Sequence, residues 1–269
     1  MSVNKDEHGR RYVHAEIEVP GTPEEVWRAI ATGPGITSWF VPSEVDERVG
    51  GEAKCSFGPG MDSISVIKEL DAPRRMLSES QDLGPEAPPV ATEWIVEAQA
   101  GDTCIVRVVH SLFTDSDEWD NELEAWEAGW PDFFRILSLY LENFAGQHGA
   151  QLQLSAMTTK SPGDAWAQLC AALGASGLAV GEDRRLGATG LPAFDVHVEH
   201  TGQGAHAEEF LMRASEPTPG LTHWFALQMG AQTVISMRFY VFGADAEAAV
   251  ARVEPQWQAW ISSQFPSQA

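Results

Sequence analysis

Two stretches of this chain, 139 residues apart, open a helix with the same signature. Thr22-Pro23-x-Glu25-x-Trp27 and Ser161-Pro162-x-Asp164-x-Trp166 each offer a hydroxyl N-cap, a proline next to it, an acid three positions after the cap and a tryptophan two further on. A hydroxyl oxygen accepts a first-turn N–H, the acid returns a bond to the cap, and proline loses nothing where its N–H would be unpaired. A second landmark repeats as well. Trp130, Phe133 and Phe134 correspond to Trp257, Trp260 and Ile261 at an offset of 127, so the second copy is 12 residues shorter between landmarks. Such a repeat restricts the chain to two copies of one arrangement. Its 269 residues suit two domains, of about 130 residues each.

The pattern between the landmarks repeats in order. "RYVHAEIEV" alternates apolar and polar residues and predicts a strand. The capped helix follows, stopped by "TGPG", and then a short second helix. Strands are expected in "GGEAKCSFGPG", "MDSISVIKELD", "APRRMLSES" and on both sides of the "AGD" turn in "ATEWIVEAQAGDTCIVRVVHSLF". Trp119, Leu123, Trp126, Trp130, Phe133, Leu137, Leu141 and Phe144 then recur at steps of three and four, which predicts a long amphipathic helix with a kink or break near Gly129 because Pro131 lies inside it. "GQHGA" (146–150) reads as a linker, giving expected domains 1–148 and 149–269. The second runs through a strand, the helix from Ser161, four strands and a final helix that contains Pro255.

Composition narrows the partners. The net charge is −22; residues 1–148 hold 28 acids against 11 bases, and residues 149–269 hold 11 against 6. A field of that sign repels phosphate backbones and anionic bilayers, so neither nucleic acid nor a membrane is expected as a partner. A protein partner docking on the acidic first domain stays open. Cys55, Cys104 and Cys170 have no C-x-x-C spacing, and no stretch is long and apolar enough to span a bilayer. With a start, "MSVNKDEHGRR", that lacks an apolar segment, the expectation is a cytoplasmic protein with thiols used as small apolar groups.

The first half resembles the activator-of-heat-shock-protein-90-ATPase-like family of the SRPBCC (START-like) superfamily. The resemblance is carried by "TPEEVWRAIATGPGITSWFVP", "VGGEAKCSFG", "VIKELDAPRRMLSES", "TCIVRVVHSLF" and "EAGWPDFFRILSLYLENF", in that order. It covers about the first 145 residues. The second half keeps the cap and the closing tryptophans and lacks the Gly-Gly strand and the Pro-Arg-Arg hairpin. The resemblance implies an α+β fold of tandem helix-grip domains, each a curved antiparallel sheet around a long C-terminal helix with a cavity between.

Site residues follow from that fold. Trp39, Phe57, Trp94, His110, Trp130 and Phe134 are the candidates for binding a small hydrophobic ligand, as rings that line the cavity or fill it. His110 shares the face of Val106 and Val108, either as a core histidine bonded to a backbone carbonyl or as the polar contact that orients a ligand. Trp224, Trp257 and Trp260 are the second copy's counterparts. The larger pocket is expected in the first copy, because Gly50, Gly51, Gly58 and Gly60 permit bulges and strong curvature there. "HVEH" (197–200) is the nearest approach to a metal signal. On a regular strand His197 and Glu199 share a face and His200 points away, which leaves His206 to help assemble any site. No catalytic motif is present, and no catalytic residue, metal or cofactor is expected. The expected function is therefore a non-enzymatic binding protein for an apolar small molecule. A regulator of a chaperone or other ATPase, and a two-domain polyketide aromatase/cyclase, are the alternatives.

Overall fold

A computed structural model describes residues 3–58, 60–202 and 208–266. The backbone separates into two compact units, Met1–Gly146 and Gln147–Ala269.

The first unit contains β1 (Asn4–Lys5), β2 (Arg10–Pro20), α1 (Pro23–Ala31), α2 (Gly33–Thr37), β3 (Ser43–Val45), β4 (Glu52–Ser56), β5 (Asp62–Asp71), β6 (Arg75–Ser80), β7 (Val90–Ala98), β8 (Thr103–Phe113) and α3 (Asp120–Phe144). The second contains β9 (Gly149–Thr158), α4 (Pro162–Leu173), β10 (Asp183–Leu186), β11 (Phe194–Thr201), β12 (Glu208–Ala214), β13 (Gly220–Met229), β14 (Gln232–Phe242) and α5 (Ala246–Gln264). The first sheet runs β1-β2-β8-β7-β6-β5-β4-β3 and the second β10-β11-β12-β13-β14-β9. Every pairing is antiparallel. In the first unit β2 pairs with the last strand, β8, and β7 to β3 follow in descending order, with the short β1 added outside β2; in the second, β9 pairs with the last strand, β14, and β13 to β10 follow. The long closing helix packs on the corresponding pair in each: α3 on β2 and β8, α5 on β9 and β14. This is the helix-grip arrangement, written twice.

Local chemistry explains the helix starts. Thr22 Oγ1 accepts the Glu25 N–H at 3.3 Å, and Glu25 Oε2 accepts the Thr22 N–H at 2.9 Å, closing a capping box. The second copy closes half of it. Ser161 Oγ accepts the Asp164 N–H at 3.2 Å, but the shorter Asp164 side chain takes the Ser161 hydroxyl at 2.7 Å. Between α1 and α2, Gly35 allows a close approach: a Cβ there would lie 1.8 Å from the Arg28 carbonyl oxygen. The buried face of α1, Val26, Trp27 and Ile30, then meets the core. α3 is one helix from Asp120 to Phe144 and is not broken at Gly129. Leu123, Trp130, Phe134, Ile136, Leu137 and Leu141 are all buried along it, and their packing holds the helix through Pro131.

The glycines expected to bulge the first sheet do something else. Gly50 and Gly51 precede β4, and Gly58 and Gly60 follow it, so they form the turns around that strand. The register shift of the first sheet falls in β5, between Ile67 and Glu69. The second sheet has its own shift in β11, between Val198 and His200. β5 and β11 occupy equivalent positions in the two strand orders.

Candidate functional site

The inner face of the first sheet is set by alternation along β7 and β8. Val106, Val108 and His110 of β8 lie opposite Val96, Trp94 and Thr92 of β7, respectively. Trp39, at the end of α2, is fully buried and held by a 2.9 Å bond from its Nε1–H to the Ala29 carbonyl. Trp130 and Phe134 come down from α3, one turn apart.

These side chains meet in a single ring network. Trp39 stands edge-on to Trp94 at 6.2 Å between centroids, and Trp94 edge-on to Trp130 at 5.2 Å. Phe134 lies 5.4 Å from Trp130 and 6.4 Å from Trp94. Phe40 stacks on one side of Trp130 at 5.4 Å, and His110 stacks on it at 5.7 Å. Phe57 joins through Phe40, edge-on at 5.5 Å. All six candidates from the sequence are thus brought together, with Phe40 and Phe133 added; the latter two rings are 4.6 Å apart. Phe133 belongs to the three-four stripe of α3 with Trp130, and Phe40 follows Trp39 in the loop beyond α2. Most of the network is shielded from water, but Phe57 is 37% exposed.

His110 is the polar centre of the network. Trp130 Nε1–H donates to His110 Nε2 at 2.9 Å, and His110 Nδ1 lies 3.0 Å from Thr92 Oγ1. Indole N–H is a donor only, so Nε2 is the acceptor, and the ring proton sits on Nδ1, donated to the threonine hydroxyl. Burial lowers the histidine pKa from 6.5 to about 4, so the ring is neutral at pH 7. Its partners are two side chains rather than the backbone carbonyl that a core histidine would be expected to find.

The second unit packs its aromatics as core. Trp224, Trp257 and Trp260 are buried, and Phe194 and Phe239 lie against Trp257 at 5.8 and 5.0 Å. A solvent-open recess of about 590 Å³ lies on the second sheet, lined by residues of β10, β11 and β12, including Arg185, Asp195, His197 and Arg213, and by Ser215 just after β12. The recess borders neither the rings of the first unit nor Trp224, Trp257 and Trp260. Its charges pair locally: Arg185 with Asp195 at 3.0 Å, His197 with Asp183 at 2.8 Å, and Arg213 with Glu199. In the first unit, the rings expected to border a pocket touch one another across it.

The "HVEH" strand also differs from its regular reading. The register shift in β11 brings His200 opposite Leu211, while His197 stays opposite Arg213. Leu211 and Arg213 alternate with Phe210 and Met212, which belong to the core, so the bulge turns His200 to the same side as His197. His200 Nε2 lies 3.9 Å from Glu209 Oε2, and His223 Nε2 lies 2.7 Å from Glu209 Oε1. His206 lies outside the described residues.

Fold and site together define the first unit as a helix-grip domain gripping an aromatic cluster. Residues 20–142 match the family described as Activator of Hsp90 ATPase homolog 1-like protein, so it is this unit that carries the family's sequence. No curated protein matches the chain. Among solved structures, the chain is similar to the di-domain ARO/CYC BexL from the BE-7585A biosynthetic pathway: 16% identity, 96% of this chain and 100% of that one, TM-score 0.46. It is similar also to DynU16 from the dynemicin biosynthetic locus, at 16% identity over 94% and 96% of the two chains with a TM-score of 0.43. Protein MLL2253 from Mesorhizobium loti matches 50% of this chain and 98% of its own at 20% identity, with a TM-score of 0.44. Among the described residues, no helix is long and apolar enough to cross a membrane.

Proposed function

We propose that the first unit binds a small, uncharged, apolar molecule, and that it does so without catalysing a reaction. The observation that carries this reading is the continuity of the ring network, from Trp39 in the core to Phe57 at the surface. An apolar ligand placed among these rings keeps aromatic contacts on every side, and it leaves the His110 hydrogen bonds intact. A charged ligand would meet a neutral imidazole whose two nitrogens are already engaged. The same engagement argues against His110 as an acid or base, because moving a proton at either nitrogen first requires breaking a bond to Trp130 or Thr92.

The test is equilibrium binding of N-phenyl-1-naphthylamine, a neutral fluorescent probe, to wild-type protein and to Val108→Trp. Val108 is fully buried and lies opposite Trp94, so an indole there occupies the space beside the network. The expected result is saturable uptake by wild type that the variant loses. Phe134→Ala supplies a second variant with the opposite volume change, expected to take up more probe. Uptake that is equal in all three proteins sinks the reading.

A second reading has one observation in its favour. The matched family is described by an activator of an ATPase, and the acidic first unit suits a basic docking partner. That partnership would weaken as salt rises, since exposed charges are screened beyond about 10 Å at 0.1 M. Pull-down at low and high salt separates it from the binding of a small apolar molecule.

A further inference from the structure

Phe57 occupies an unusual position in the ring network. It follows the last residue of β4 and is the most exposed aromatic ring of the network, while its edge rests on Phe40, the ring that stacks on Trp130. The backbone at Phe57 opens a hydrogen-bonded turn, which leaves the ring as the part free to move: the Phe57 N–H donates to the Met61 carbonyl at 2.9 Å, and the Met61 N–H to the Gly58 carbonyl at 3.0 Å. Gly58 and Gly60 have φ of 139° and 75°, values that a side-chain-bearing residue rarely adopts. Met61 is itself 55% exposed. An apolar ring and an apolar thioether therefore face water at the rim of the network, on a chain with a net charge of −22.

We infer that Phe57 is the gate of the first unit's aromatic site: the ring swings off Phe40 to admit an apolar molecule and returns to cover it. This inference rests on the binding function proposed above. The motion breaks one edge-to-face contact and no hydrogen bond of the side chain, whereas moving Trp39 or Trp130 breaks a buried bond to Ala29 or His110. Among the rings of the network, Phe57 is thus the one whose displacement costs least. Cys55, two residues earlier on β4, is on the same side of the strand and half-buried, with its Sγ 3.4 Å from the Ser43 hydroxyl. Cys104 and Cys170 are buried in other parts of the fold, so Cys55 is the thiol that reports on the gate.

The experiment uses the full chain in three forms: wild type, Phe57→Ala and Phe57→Trp. Two rates are measured. One is stopped-flow uptake of N-phenyl-1-naphthylamine, and the other is modification of Cys55 by a neutral maleimide, located by peptide mass spectrometry. Phe57→Ala removes one edge-to-face ring contact from the opening step, so both rates are expected to rise about fivefold. Phe57→Trp, with a larger ring on the same support, is expected to slow both. The gate is overturned if either rate stays at the wild-type value in both variants. A wild-type protein that takes up no probe at all overturns the binding function and the gate with it. Normal uptake with rates indifferent to residue 57 overturns the gate alone.

Discussion

His110 should make the first unit lose stability as the pH falls, by an amount set by its environment. The ring is neutral in the folded protein with a pKa of about 4, against 6.5 for a histidine in water. Between those values the unfolded chain binds a proton that the folded chain does not, so unfolding gains protons and stability falls with pH. At about 1.4 kcal/mol for each pH unit, the interval from 6.5 to about 4 is worth roughly 3 kcal/mol. The loss begins near pH 6.5 and is complete near pH 4; above 6.5 the histidine contributes no slope. Other groups also titrate there, so the measurement is a comparison with His110→Gln, whose amide oxygen accepts the Trp130 N–H but cannot be protonated in this range. Urea unfolding followed by tryptophan fluorescence at pH 7, 6, 5 and 4.5 gives both curves. At pH 7 the variant should be the less stable, by about 1–3 kcal/mol, because its fit to Trp130 and Thr92 is poorer. The gap should close as the pH drops, and the two curves should meet between about pH 6 and 4.5, at the higher pH if the gap at pH 7 is small. Parallel curves from pH 7 to 4.5 would refute the assignment of a buried, neutral, doubly bonded imidazole.

Other substitutions test the scaffold. Thr22→Ala opens the complete capping box and should cost about 1 kcal/mol by thermal unfolding, while Ser161→Ala should cost less because its box is half closed. Gly35→Ala drives a methyl group into the Arg28 carbonyl, and a loss of about 4 kcal/mol or more is expected, visible as a first unit that no longer folds cooperatively. Phe134→Ala removes a buried ring from the network and should destabilise by about 3–5 kcal/mol by urea titration; a loss under about 1 kcal/mol would mean that the rings are loosely packed.

Much of this architecture was legible in the chain because it rests on local chemistry. The caps at Thr22 and Ser161, the alternation in β2, β7 and β8, and the three-four spacing of α3 are short-range signals that tertiary packing reinforced. Among the six candidate rings, Trp94 and His110 sit on strands whose alternation sets their facing and Trp130 and Phe134 sit on α3, whereas Trp39 and Phe57 lie just beyond α2 and β4, where no period applies. What was not legible depends on register. Nothing in "HVEH" marks the bulge that turns His200 to the side of His197, because a bulge is a relation between β11 and β12 and not a property of either alone. Phe133 was legible in the stripe of α3 but not counted among the site rings, and Phe40 lies in the loop beyond α2, where no period marks its facing. Of the kink or break expected at Pro131, the break is absent because α3 is held along its length by its packing on β2 and β8, which the proline rule for an isolated helix leaves out. The glycines around β4 were read as bulges when the chain uses them to turn.

The matched irregularities in β5 and β11 carry a consequence for how the two copies are to be compared. Each is a one-residue phase change in the in-out alternation of its strand, between Ile67 and Glu69 in one and between Val198 and His200 in the other. A side chain before the irregularity and one after it follow opposite parities. Glu199 is the extra residue of β11: removing it would restore an unbroken alternation while leaving Val198 opposite Met212 and His200 opposite Leu211. When the halves are laid against each other, the phase change is a fixed point at which to anchor the register, in a region where the letters themselves no longer agree.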